Sequence, residues 1–215
     1  MSFLNQLKSQ ATALQTRQTT QQTQHEANTQ LTEAASKTAW LYVIELAKQL
    51  NVIGPTGPQL SLESKTPWPP MKLVDFRVDA RKKKLRDQEV FDYIGMVWRL
   101  VPCDGAPVKG SVSANFPPDV QRIETRLSAG AVKHDRVEVR HPEKKTLQAI
   151  RFDYVTEARA SLTITADHDQ AKLAFRLVNT QGFDLMQTTY LANQIQGHWL
   201  DELAKLIVGQ PSKFI

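Results

Sequence analysis

Histidines are the residues of this 215-residue sequence best suited to proton transfer. His134 and His141 bracket a segment in which polar and apolar residues alternate, and Asp135 beside His134 forms the minimal general-base pair. Along a strand, seven residues separate the two imidazoles by roughly 23 Å, which is too far for both to bind one metal ion. We therefore predict that they are exposed histidines at the two ends of a strand.

A second group of candidate ligands is Asp167, His168 and Asp169, which follow one another directly. Consecutive residues of an extended chain point in opposite directions, so they converge on one ion only where the backbone turns. They fall where a hairpin needs polar turn residues, and a turn is the interpretation we adopt. Cys103 is the only cysteine, has no basic neighbour in the sequence to activate its thiol, and is interpreted as an incidental thiol.

The sequence motifs of the familiar enzyme classes are absent. The chain contains no Gly-rich phosphate loop, no H-E-x-x-H, no G-x-S-x-G and no paired C-x-x-C. We predict no catalytic residue, no metal ligand and no cofactor, and we lean towards a protein that is not an enzyme. No run of about 18 apolar residues indicates a membrane span, and the single cysteine fits a reducing compartment, so the expected location is the cytoplasm.

One dense basic run is the strongest candidate for binding anions. Lysine and arginine total 27 against 22 acidic residues, which gives a net charge of +5, but most of these charges are interleaved. A cation cluster on a protruding hairpin could bind phosphates or acidic lipid. The run consists of Arg81, Lys82, Lys83, Lys84 and Arg86. Most aromatic residues share a side with Val, Ile and Leu and are expected in the core, so nucleic-acid binding is an alternative that we do not favour.

The elements that would position these residues begin with a helix. Residues 1–50 contain no Gly or Pro and predict a helical segment, of which residues 40–50 carry an apolar stripe that should pack on the core. Residues 15–30 are rich in Gln and Thr, so residues 1–36 are expected to be exposed, frayed or dependent on a partner. Glycines and prolines in residues 51–70 predict a connector that crosses the surface.

After Met71 the period of the apolar pattern changes from 3.6 to 2. Apolar and polar residues alternate in several short segments joined by polar links of hairpin length, which favours an antiparallel meander with one dry face. Residues 117–129 indicate a short helix that ends at Gly130, and residues 195–207 indicate a C-terminal helix. The tripeptide Phe-Asp-Tyr at 91–93 and 152–154 leaves an internal duplication open.

These patterns together predict the fold class. We expect an α+β protein whose domain, residues 71–215, is an antiparallel meander of six or seven strands. One face of this sheet should be covered by the C-terminal helix and by the N-terminal helix. The exposed Gln- and Thr-rich segment and the Pro-rich connector indicate a surface for a protein partner or for self-association. The first hypothesis is therefore a non-catalytic interaction or assembly module acting through the N-terminal helix.

The alternative hypothesis is a domain that binds a small apolar ligand. A meander followed by a closing helix, over residues 72–208, is similar to the helix-grip arrangement of START-type lipid-binding domains. That similarity of architecture implies a cavity between the sheet and the C-terminal helix. The residues expected to line it are Trp98, Phe152, Phe175, Trp199 and Leu203.

Overall fold

The computed structural model describes residues 3–215, which contain three α-helices and eight β-strands. The helices are α1 (Phe3–Ile53), α2 (Pro117–Ala129) and α3 (Gly197–Ile207). The strands are β1 (Met71–Leu85), β2 (Gln88–Pro102), β3 (Lys109–Ala114), β4 (His134–Arg140), β5 (Leu147–Val155), β6 (Ala158–Asp167), β7 (Lys172–Val178) and β8 (Leu185–Leu191). Across this described part, no helix combines the length and the apolar character that a bilayer crossing requires.

The strands form two antiparallel sheets, and the predicted α+β class is confirmed. The main sheet has the order β1-β2-β6-β7-β8, and the small sheet has the order β3-β5-β4. The expected single sheet of six or seven strands is corrected to these two sheets. The chain leaves the main sheet after β2, builds the small sheet and α2, and returns as β6 to pair with β2. Alternation sets the period of each strand but not its partner, which is why the division was not foreseen.

The register of the main sheet places apolar residues opposite one another. In the pair of β2 with β6, Ile94 faces Ile164 and Met96 faces Leu162. The largest side chain of this face, Trp98, lies opposite the small Ala160 and stacks on Phe76 with ring centroids 5.4 Å apart. Because each side chain meets one of matching size or an aromatic ring, this face forms a dense core.

Helix α1 lies along this apolar face. Val43, Ala47 and Leu50 are buried, so the predicted stripe of residues 40–50 does pack on the core. At its C-terminal end the Asn51 side chain accepts from the backbone N–H of Phe76 (2.8 Å) and donates to the carbonyl of Phe76 (2.9 Å). From Asn51 back towards its N-terminus, α1 runs along β1 as far as the β1–β2 turn.

The connector of residues 54–70 packs inwards at three apolar side chains as it crosses the surface. Leu60, Leu62 and Trp68 are buried. Trp68 stacks on Tyr154 of the small sheet and meets Phe183 of the β7–β8 turn edge-on, with both centroid distances 5.4 Å. The connector therefore fills the junction between the two sheets.

Helix α2 packs on β3 of the small sheet, and helix α3 packs on α1. Helix α2 begins at Pro117, ends at Gly130 as predicted, and buries Ile123 and Leu127. Helix α3 begins two residues later than predicted and is joined to α1 by a hydrogen bond from the Tyr42 hydroxyl to Asp201 (2.7 Å). It buries Leu200, Leu203, Leu206 and Ile207. The two Phe-Asp-Tyr tripeptides lie in different sheets, in β2 and β5.

Candidate functional site

The basic run of the β1–β2 hairpin is neutralised by neighbouring carboxylates. Arg81 and Lys83 both pair with Asp92. Their hydrogen bonds lower the pKa of Asp92, and the bond from Arg81 has the larger effect. The remaining pairs are Lys82 with Glu89, Lys84 with Asp87, and Arg86 with Asp169. A phosphate arriving at this hairpin would have to compete with these carboxylates for every cation of the run.

The five side chains expected to line an apolar cavity lie in different parts of the core. Trp98 belongs to the middle of the main sheet and Phe152 to the small sheet, while Leu203 is buried in α3. Phe175 and Trp199 face the β8 side, where Phe214 packs edge-on against Phe175 with centroids 5.1 Å apart. None of the five cavities described within residues 3–215 is lined by a residue of α3.

The three histidines that the sequence analysis singled out bond to backbone groups. His134 begins β4 and His141 directly follows its last residue, as predicted, but both are half-buried and not exposed. The Nδ1 atom of His134 donates to the Val132 carbonyl (2.8 Å), and Nδ1 of His141 accepts from the backbone of the following turn (3.2 Å). His168 is buried and its Nε2 donates to the carbonyl of Phe91 (2.7 Å). In the described chain, no group of three or more His, Cys, Asp or Glu side chains is arranged to hold a metal ion.

The Asp167 segment forms the predicted turn. The Oδ1 atom of Asp167 accepts from the backbone N–H groups of Asp169 (3.1 Å) and Gln170 (3.0 Å), which is how an aspartate stabilises a tight turn. Cys103 is half-buried beyond the end of β2, and its backbone N–H donates to the Pro70 carbonyl (2.8 Å). Both segments have structural contacts that account for them.

The most exposed part of the molecule is the N-terminal end of α1, residues 3–24, which we name the arm. Every residue of the arm is helical and exposed, whereas burial against the body begins at Thr29. The prediction that residues 1–36 are exposed holds for residues 3–24, which form an ordered helix, and is wrong for residues 29–36, where Thr29, Thr32, Ala35 and Ser36 are buried. Residues 1–2 of that prediction lie outside the described residues. At 1.5 Å per residue, the arm extends about 33 Å beyond the body.

The arm carries an apolar stripe. Leu4, Leu7, Ala11 and Leu14 follow one another at intervals of three, four and three residues, which aligns them on one face of a helix. Leu4 is 57% exposed, Leu7 45% and Leu14 59%. Such a row of leucines in water is the pattern of a helix that packs on another helix. This stripe was not predicted from the sequence, although the spacing of its residues indicates an apolar helix face.

The arm leaves the body through a set of polar contacts that we name the collar. Its members on α1 are His25, Asn28, Thr29 and Glu33, and its members on the body are Arg86, Phe91 and Asp169.

Five contacts hold the collar together, one of which is a long hydrogen bond from Arg86 to the Thr29 hydroxyl (3.5 Å). Asn28 donates to the Asp169 carbonyl (2.5 Å), and the Nδ1 atom of His25 lies 3.3 Å from the Asp169 carboxylate. Glu33 accepts from the backbone N–H of Phe91 (2.6 Å). The Arg86 guanidinium donates to Asp169 and thereby lowers the pKa of that carboxyl. Because two hairpin tips grip consecutive turns of α1, the direction of the arm is set by the body.

The stripe and the body lie on the same side of α1. Continuing the alternation of three and four residues beyond Leu14 leads to Thr32, Ala35 and Ala39, all of which are buried against the body. The face that packs on the main sheet therefore continues into the arm, where no part of residues 25–215 covers it.

Comparisons of the chain with protein-family models, with curated proteins and with solved structures find no match.

Proposed function

We propose that this protein is a non-catalytic assembly module that self-associates through the arm. The observation that carries the proposal is a 22-residue stretch of helix without tertiary contacts whose leucines form one exposed stripe. A helix of this length is marginal in water when it has nothing to pack on. Burying a leucine stabilises by about 1.5–3 kcal/mol, so pairing stripes would stabilise the arm.

The charges of the arm suit a second copy of the chain. Lys8 and Arg17 are the only ionisable side chains in residues 3–24, and most of the remaining polar residues are Gln and Thr. In an antiparallel pair centred where Ala11 of one copy meets Leu14 of the other, Lys8 lies beside Gln15 of the second copy. Arg17 lies beside Gln10 of the second copy in the same register, so no like charges meet.

The position of the body favours the antiparallel orientation. The stripe faces the same side of α1 as the main sheet, so a parallel partner helix would run into the hairpin tips at the collar. An antiparallel partner instead ends near the collar, and its own body lies beyond the far end of the arm. The two copies then form a dimer with a two-fold axis, the commonest symmetry of homo-oligomers.

The expected affinity is modest. Three leucines and one alanine per arm are apolar, and the same spacing then leads to Gln18 and Gln21, whose amides reduce stability at a helix interface. Because association itself costs several kcal/mol, we expect a dissociation constant on the order of micromolar. Assembly would therefore depend on the concentration of the protein.

The proposal is tested by replacing the stripe in the full chain. A variant with Leu4→Gln, Leu7→Gln and Leu14→Gln keeps helix propensity and removes the apolar contact. The matched control carries Thr12→Gln, Thr16→Gln and Thr19→Gln, which lie on the opposite face of the helix. Sedimentation equilibrium from low to high micromolar concentration should show dimers for the unaltered protein and for the threonine variant, and monomers for the leucine variant.

Two results would contradict the proposal. One is an unaltered protein that stays monomeric over the whole concentration range. The other is a leucine variant that retains the mass of the unaltered protein, because assembly would then use another surface. Far-UV circular dichroism of all three proteins shows that a loss of mass is not a loss of fold.

A further inference from the structure

The face of the main sheet opposite α1 is uncovered and carries several arginines. Except for Val178 at the end of β7, outward-facing residues of β6 and β7 are exposed or half-exposed, in contrast to their inward-facing neighbours. At one end of this face lies a cavity of about 570 Å³, which we name the open-face cleft. Its polar and apolar walls include Arg77, Val97, Arg99, Ala129, Arg159 and Ser161.

The strand register brings three arginines together in this cleft. Arg99 of β2 lies directly opposite Arg159 of β6, and in the next row Val97 lies between Arg77 and Ser161. Side chains directly opposite each other in an antiparallel pair have Cβ atoms about 5 Å apart, and like charges at such positions destabilise a sheet. An arrangement of this kind needs negative charge nearby.

The protein supplies that negative charge to Arg99 only. The guanidinium of Arg99 donates to Glu157 (2.8 Å) and to Asp75 (2.5 Å), and these bonds raise the pKa of Arg99. Asp75 lies at a β-bulge and lines the cleft. Its φ of 58° is a left-handed conformation that is unfavourable for aspartate. In residues 3–215, Arg77 and Arg159 make no ion pair, and no hydrogen bond occupies their guanidinium groups.

The backbone that presents Arg159 is rigidly held. Its N–H donates to the carbonyl of Gly130 at the end of α2 (2.7 Å), and its carbonyl accepts from the side chain of Asn179 (2.8 Å). Asn179 is fully buried and also donates to the carbonyl of Ala129 (3.1 Å). The guanidinium therefore extends from a fixed support into a cleft in which the protein offers it no partner.

We propose that the open-face cleft binds a small ligand through an oxyanion group, a carboxylate or a phosphate, held between Arg77 and Arg159. The planar guanidinium groups match such oxyanions with two parallel hydrogen bonds, and the Ser161 hydroxyl donates a further one. Val97 and Ala129, both exposed, contact the apolar part of the ligand. The volume of the cleft lies in the range of small-molecule sites, about 300–1,000 Å³.

The test uses three probes and the full chain. Inorganic phosphate, phenyl phosphate and benzoate are titrated by isothermal calorimetry at low ionic strength. We expect saturable binding of at least one organic probe, and phenyl phosphate should bind more tightly than inorganic phosphate because its ring contacts the apolar wall. The ratio of phenyl phosphate to benzoate affinity shows which oxyanion the cleft prefers.

Variants locate the site. Arg77→Gln and Arg159→Gln should each weaken binding about tenfold, the effect of losing a hydrogen bond to a charged group. The matched control is Arg176→Gln, because Arg176 is exposed on the same face in β7 and does not line the cleft. The control variant should bind like the unaltered protein, and circular dichroism verifies that each variant is folded.

Three outcomes would overturn the proposal. The first is the absence of saturable binding for all three probes. The second is an equal loss of affinity in the Arg176 variant, which would indicate diffuse attraction by the whole face. The third is binding of single-stranded or duplex oligonucleotides alone, which would indicate an extended surface for polyanions. This test does not involve the arm, so its result is independent of self-association.

Discussion

At the scale of single residues, Asp184 is the carboxyl whose environment opposes its charge. It lies in the turn between β7 and β8, where burial raises its pKa, although backbone N–H groups of Thr180 (3.0 Å) and Gln181 (3.3 Å) donate to it. The folded protein thus holds the Asp184 proton more tightly than the unfolded chain does. By linkage, ionisation of Asp184 reduces stability as pH rises above the ordinary aspartate pKa of 3.8.

The variant Asp184→Asn tests this effect. It keeps an oxygen that can accept from Thr180 and removes the titration. We expect the stability of the unaltered protein relative to the variant to fall as pH rises from 3.8 through the raised pKa of Asp184, and then to level off. Urea unfolding at a series of pH values measures this difference. A difference that does not change with pH would show that Asp184 titrates alike in the folded and unfolded states.

Contacts of single residues also explain why the basic run is a candidate anion site in the sequence but is not a free cationic patch in the structure. Five cations within six positions look like a binding patch in one dimension. In three dimensions, the pairing of β1 with β2 brings Asp92 within ion-pair distance of Arg81 and Lys83, and Glu89 within that distance of Lys82. Conversely, Arg77 and Arg159 are far apart in the chain and line the same cleft only because both of their strands pair with β2.

At the scale of elements, α1 performs two different tasks along its length. From Asn51 to Thr29 it runs beside β1 and the start of the following turn, from Phe76 to Arg86, since 22 helical residues and 10 extended residues both span about 33 Å. Beyond the collar it has no strand to follow. Its threonines there satisfy their hydroxyls on the carbonyls four residues earlier, as Thr12, Thr16 and Thr23 do.

The orientation of the proposed helix pair gives a prediction for cysteine cross-linking. In a background with Cys103→Ser, a mixture of the Leu4→Cys and Gln21→Cys variants should form a disulfide-linked dimer, because these positions meet in the antiparallel register. Leu4→Cys by itself should remain largely uncross-linked. The readout is non-reducing electrophoresis after mild oxidation, with Thr16→Cys, on the opposite face, as the control.

The cross-linking outcome separates the two orientations of the pair. Rapid linkage of Leu4→Cys to itself would establish a parallel pair and refute the antiparallel register. Equal linkage of Thr16→Cys would show that collision, and not pairing, forms the disulfides.

At the scale of the whole molecule, the connector packs at the junction of the two sheets. The sequence predicted only that it crosses the surface between the N-terminal helix and the sheet domain. Trp68 lies between the small sheet and the β7–β8 turn, where its ring meets Tyr154 and Phe183. Gly130 packs nearby, since a Cβ added there would lie 2.8 Å from the Phe183 ring. The two sheets and the connector thus share one continuous core, which predicts a single cooperative unfolding transition.

Removing the Trp68 ring should weaken this junction. We expect Trp68→Ala to destabilise the protein by about 3–5 kcal/mol, the usual cost of emptying the site of a buried aromatic residue. The matched control is Trp40→Ala, because Trp40 is only partly buried and should cost less. Thermal unfolding followed by both circular dichroism and tryptophan fluorescence measures the two variants. Equal losses in both would show that the Trp68 junction has no special weight.

The sequence by itself determined the local elements of this protein. A period of 3.6 identified the buried stripe of α1 and the helix α3, and a period of 2 identified β1, β2, β4, β5, β6 and β7, because the backbone geometry of each element dictates which side chains share a face. Strands β3 and β8 were not predicted. Turn-forming residues such as Asp167 and Gly130 were also readable, since they act through bonds to nearby backbone groups.

Only the tertiary structure decided which elements meet. The departure of the chain between β2 and β6, the pairing of Arg99 with Arg159 and the neutralisation of the hairpin all depend on contacts between residues distant in sequence. Such contacts follow from the burial of whole faces against one another, and periodicity describes a face without naming its partner. For the same physical reason, the spacing of the leucines in the sequence is enough to show the apolar stripe of the arm. Its exposure depends on where the body ends, and the structure places that end at the collar.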